Sequence, residues 1–123
     1  MDKGARMRQG NSLWHVTVTV AGDRLEPRLV RAALNRLIEN QPFLHSVKYA
    51  DDCAEIQYWE EASSLLDASS LALRIWDQHR DVASLPAWEV IGLEVVERTV
   101  FHARAEKDYS TIVGVRHVTP VPF

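Results

Sequence analysis

Residues Trp14 to Val20 alternate without a break, with Trp14, Val16, Val18 and Val20 on one parity and His15, Thr17 and Thr19 on the other. Successive side chains of a strand point to opposite faces, so this run has one apolar side and one polar side. Its β-branched residues suit a pleated surface. The fold must cover the valine side and leave the histidine–threonine side for another use.

The cover follows in the chain. Ala21-Gly22-Asp23 ends the strand, and Pro27 stands where a helix accepts proline, in its first turn. Leu25, Leu29, Val30, Ala33, Leu34, Leu37 and Ile38 recur at helical spacing, and Arg28, Arg31, Asn35, Arg36 and Glu39 fall mostly opposite. Arg28, Arg31 and Arg36 read as a solvated basic stripe. Asn40-Gln41-Pro42 stops the helix, because the residue before a proline is pushed out of helical geometry.

Phe43 to Ala50 and Cys53 to Glu60 read as two strands joined at Asp51-Asp52, which suits a turn between antiparallel neighbours. In the second of them Ala54, Ile56 and Tyr58 alternate against Glu55, Gln57 and Trp59. Ser64, with Asp67 three residues on, marks a capped helix start. Leu65, Ala68, Leu71, Ala72, Ile75 and Trp76 form that helix's apolar stripe, which should fade by Asp81.

The last third reads as strand. Trp88 to Arg104 is too long for one ordinary strand of about 3–10 residues. A turn is expected at Glu97-Arg98-Thr99 and a bulge at Gly92. Val100 to Arg104 and Thr111 to Thr119 are expected as further strands, extending the sheet or crossing to a second subunit. Pro120 and Pro122 should bar regular pairing at the end.

The order β-α-β-β-α-β predicts an α+β, ferredoxin-like sandwich: an antiparallel sheet with two helices on one face, plus a C-terminal strand extension. At 123 residues the chain suits a single domain. Residues 1–12 read as a flexible arm and 13–123 as the domain. The covered face is assigned Val16, Val18, Val20, Ile56 and either Ile91, Leu93 and Val95 or their alternates. The open face is assigned His15, Thr17, Thr19, Ser46, Lys48, Glu55, Gln57, Trp59 and Glu94.

Composition narrows the function. A net charge of -3 gives no whole-surface attraction to nucleic acid or to an anionic membrane. The open face lacks the aromatic RNA-binding signature of this fold type, and Glu55 there repels phosphate. No apolar run approaches the ~18 residues of a membrane helix. The one cysteine, Cys53, precludes an intrachain disulfide and suits a reducing cytoplasm. Its aspartate neighbours disfavour the thiolate, which makes it a poor nucleophile.

No glycine-rich phosphate loop and no nucleophile elbow occurs. The five histidines, His15, His45, His79, His102 and His117, show no metal-ligand spacing, so they read as surface or hydrogen-bonded structural residues. Strand geometry leaves His15, His102 and His117 able to converge across a sheet. No metal and no cofactor is expected. The pairs Asp51-Asp52 and Glu60-Glu61 read as turn and boundary residues, since adjacent strand residues point to opposite faces.

The segment Leu25-Glu26-Pro27 through Leu34-Asn35-Arg36-Leu37-Ile38, then Gln41-Pro42-Phe43-Leu44, resembles the opening of carrier-protein condensation domains. There a strand, a helix and a His-Pro-x-Leu-Arg turn lead into a hairpin. Gln41 stands at the family's His and His45 at its Arg, and the catalytic H-H-x-x-x-D-G motif is absent. The resemblance implies a β-α-β-β geometry and no activity.

The expectation is a cytoplasmic binding module, self-associating as a homodimer, that takes a small molecule or a protein on its open face. His15, Thr17, Gln57 and Trp59 are the candidate ligand-binding residues. One alternative is a small acid–base enzyme using His15 beside Glu55 or Glu94 at a subunit interface. The other is a structural or protein-interaction module.

Overall fold

The computed structural model describes residues 10–107 and 118–123. Its elements run β1 (Ser12–Ala21), α1 (Pro27–Asn40), β2 (Leu44–Tyr49), β3 (Cys53–Ala62), α2 (Leu65–Ala83), β4 (Glu89–Glu97), α3 (Arg98–Lys107) and β5 (Val121–Pro122). Strand order is β4-β1-β3-β2-β5. The first four of these strands pair antiparallel, which is the ferredoxin-like arrangement. The strand-helix-hairpin path implied by the condensation-domain resemblance is present at its start.

Register follows the parity of β1. Val16, Val18 and Val20 lie opposite Tyr58, Ile56 and Ala54 of β3. All six are buried, together with Val30, Ala33, Leu34 and Leu37 of α1 and Ala68, Ala72, Ile75 and Trp76 of α2. Burying a Leu or Val of this kind is worth about 1.5–3 kcal/mol, so a one-residue slip of β1 would forfeit several such contributions. The helical stripes are narrower than their spacing suggests. Leu29, Leu65 and Leu71 lie on the exposed margins of their helices.

Local signals behave as their chemistry requires. Pro27 opens α1. The Ser64 hydroxyl accepts from the Asp67 backbone N–H at 3.1 Å, capping α2. That helix runs two residues past Asp81, to Ala83, and ends at Ser84 in the left-handed region, with φ 52°. Arg36 of α1 reaches this end, donating from Nε to the Ala83 carbonyl at 2.6 Å and from a terminal nitrogen to the Ser84 carbonyl at 3.1 Å. Arg36 is therefore a clamp between helices and not part of a solvated stripe.

The C-terminal third departs from expectation. Val100 to Arg104 is helical, part of α3, and no strand continues from β4. The break does fall at Glu97–Arg98, where strand passes directly into helix. β-branched Val95, Val96, Thr99 and Val100 mislead, and the helix formers Ala103 and Arg104 with the docking of Phe101 decide the outcome. The expected bulge occurs as a register shift in which Val20 pairs with Val90 and Thr19 with Gly92, leaving Ile91 unpaired and exposed. Val90 and Val95 pack on the core in place of Ile91.

Pro120 and Pro122 do not prevent pairing. Lys48 and Tyr49 pair in parallel with Val121 and Pro122, and the Phe123 N–H donates to the Tyr49 carbonyl at 2.9 Å. Proline is tolerated there because β5 is a two-residue edge strand. The expected arm lies outside the described residues as far as position 9, and the expected strand from Thr111 as far as position 117.

Candidate functional site

The open face is built from the second parity of β1. His15 lies opposite Trp59, Thr17 opposite Gln57 and Thr19 opposite Glu55 on β3. On the other flank Thr17 pairs with Glu94 and Thr19 with Gly92. β2 adds Ser46 opposite Gln57 and Lys48 opposite Glu55. The four candidate residues thus occupy two consecutive rungs, His15–Trp59 and Thr17–Gln57. The Gln57 amide donates to the Glu55 carboxylate at 3.2 Å, which orients both groups along β3.

One end of this face is roofed. α3 crosses it and sets the Phe101 ring on His15, centroids 4.0 Å apart and planes 28° from parallel. Trp59 meets Phe101 edge-on at 4.9 Å and His15 edge-on at 5.0 Å. His102 lies against Trp59 at 6.0 Å. His15 is consequently only 3% exposed, the one buried polar residue among those described. Trp59, assigned to the open face, is half-buried under α3.

The fifth member of the cluster is His45. A shift in the β2–β3 register, with Leu44 opposite Tyr58 but Ser46 opposite Gln57, leaves His45 as an extra residue. Such a bulge re-aims a side chain. Here the Nε2 atoms of His45 and His15 come within 2.7 Å. One imidazole donates and the other accepts, so the pair needs one of them neutral at that nitrogen. Burial holds the His15 pKa down to about 4, assisted by the positive charges of His45 and Arg104. Burial also lowers His45, against a raising contribution from a backbone hydrogen bond. At neutral pH the pair is uncharged.

The partner of His15 is therefore another histidine. Glu55 and Glu94, the expected carboxylates, sit two rungs and one rung away, opposite Thr19 and Thr17. Glu94 instead accepts from Arg104 of α3 at 3.2 Å. Periodicity alone puts His45 on the covered face with Val47 and Tyr49, and the bulge that turns it over to His15 leaves no local mark beyond Pro42 upstream.

The remaining expectations are placed as follows. His102 joins the cluster, and His117 lies outside the described residues. The ring nitrogen Nδ1 of His79 bonds the Ile75 carbonyl at 2.9 Å, a structural role within α2. Glu60, opposite Trp14, is raised in pKa by burial and then by Glu61, while Glu61 accepts from the Asn11 amide at 3.3 Å. The Cys53 thiol is raised by burial and by Asp52, which keeps it protonated. Among the described residues no three His, Cys, Asp or Glu side chains converge as metal ligands. No helix of the described residues is long and apolar enough to cross a membrane.

The site can do two things chemically. It offers hydrogen bonds from Thr17, Thr19, Gln57, Glu55 and Lys48 on its uncovered half. Under α3 it offers a neutral, proton-sharing imidazole pair walled by aromatic rings.

No curated protein matches the chain. Among solved structures an acylphosphatase from Coxiella burnetii is similar, at 16% identity over 100% of both chains with a TM-score of 0.35. The family model Domain of unknown function (DUF8830) matches residues 13–112, and the chain belongs to that family.

Proposed function

We propose that the protein is a binding module, working as a homodimer in the cytoplasm, whose open sheet face takes a small molecule or a protein partner. The observation behind this reading is the register that puts His15 opposite Trp59 and Thr17 opposite Gln57. An aromatic wall beside adjacent amide and hydroxyl groups is a combination that orients a ligand by a few polar contacts. Trp59 supplies the area such contacts need.

A thermal-shift screen of the full chain against metabolites tests the reading. A hit that Trp59→Ala weakens, in a variant of near-normal stability, supports it. A large stability loss instead makes Trp59 a core residue and removes it from the site. Sedimentation as a strict monomer at micromolar concentration removes the homodimer.

The 2.7 Å contact of His15 and His45 favours a second reading, an acid–base enzyme. In it the exposed His45 meets the substrate and His15 shares its proton. Turnover of a screened ligand would select this reading, and binding without turnover selects the module. No hit at all favours a structural or protein-interaction role.

A further inference from the structure

The helix α3 is held to the sheet by little. Of the side chains at positions 98–104, Phe101 is the only one that is not exposed. Beyond Phe101, the described side-chain links from α3 to the sheet come from exposed residues: the Arg104–Glu94 ion pair at 3.2 Å, whose two side chains are 56% and 54% exposed, the Thr99 hydroxyl donating to Glu97 at 3.3 Å, and the His102 ring 6.0 Å from Trp59. A helix that is polar nearly all round draws little stability from packing, and exposed ion pairs add little more. Yet the Phe101 ring fills a well-formed place. That place has a flat floor in His15, an upright wall in Trp59, and the exposed His45 beside the floor.

We propose that α3 is a displaceable lid whose Phe101 occupies a ring-binding slot, and that the module's ligand carries a planar aromatic ring that takes this slot when α3 lifts. This rests on the binding-module reading above and names the chemistry of its ligand. The floor and wall suit a flat π-system, because stacked and edge-on contacts are the geometries aromatic pairs prefer. The uncharged His15–His45 pair offers a hydrogen bond at the slot's rim to a polar group on that ring. The closed lid reduces apparent affinity by the fraction of molecules that are closed. Weakening the lid without touching the slot therefore strengthens binding.

The test titrates 5-fluoroindole into the full chain, read by fluorine NMR and by amide spectra. Saturable binding should move the Trp59 indole N–H and the α3 amides from Thr99 to Arg104 together. Arg104→Ala leaves the slot intact and should tighten binding by up to roughly fivefold, the ceiling of an exposed ion pair. Phe101→Ala removes the competitor and should tighten it by about tenfold. Tightening in Phe101→Ala alone, with Arg104→Ala unchanged, means a cavity made by truncation and overturns the lid. Movement of the Thr17 and Gln57 amides with α3 still overturns the lid while leaving the binding face standing. No binding of the probe in any of the three chains also overturns it, and the metabolite screen then judges the module by itself.

Discussion

His15 and His45 are thirty positions apart in the chain, and their Nε2 atoms lie 2.7 Å apart. The contact joins a central strand to a bulged one across β3, with Phe101 stacked on its His15 side and His45 exposed. Three consequences of burial meet there: a low imidazole pKa, a shared proton and a ring stack.

Acid should therefore loosen the protein through His15. Its folded pKa is about 4 and its ordinary value 6.5. The unfolded chain binds the proton more tightly, so this stability is complete above pH 6.5 and is lost as pH falls toward 4. The loss over that window is on the order of 2–3 kcal/mol. Urea midpoints at pH 7 and pH 5 should fall further apart in the wild type than in His15→Gln. Equal gaps in the two proteins would refute the assignment.

Phe101→Ala should expose the His15 ring to water and move its titration upward toward 6.5, as followed by imidazole proton shifts. The stability cost should be about 1–2 kcal/mol, below the 3–5 typical of a fully buried phenylalanine, because this ring is half-exposed. A His15 titration that stays near pH 4 would mean that the sheet alone desolvates it.

The Arg36 clamp makes a different forecast. Arg36→Ala leaves the Ala83 and Ser84 carbonyls without their donors and should cost about 1–2 kcal/mol in urea unfolding. Ser84→Gly should stabilise by about 0.5–1 kcal/mol, since the residue sits at φ 52° and only backbone carbonyls of the loop are used by Arg36. A destabilised glycine variant would show that the serine side chain matters.

Gly22→Ala tests the packing at the end of the core. A methyl there would run into the Trp88 indole, whose Nε1 donates to the Asp23 carbonyl at 2.9 Å. Trp88 also stacks on Trp76 with centroids 6.2 Å apart. Overpacking of this kind should cost about 1–3 kcal/mol. Near-ultraviolet circular dichroism should change with it, and an unchanged spectrum with unchanged stability would contradict this geometry.

The sequence by itself determined the faces of the sheet and the limits of the first two helices. Those follow from properties carried within a few residues: the period of two in Trp14 to Val20, Pro27 and Pro42 around α1, and the Ser64 cap. They also determined that His15, Thr17, Gln57 and Trp59 share a side. Only the tertiary structure decided what that side is. The bulge that turns His45 toward His15 is a property of pairing between β2 and β3, and local composition does not encode pairing. The helix α3 over His15 likewise overrides a β-branched stretch, because docking Phe101 against two aromatic rings rewards helix where propensity alone favours strand. A polar open face became a partly roofed one because burial is settled by what crosses it, and that partner comes from eighty-odd residues further along the chain.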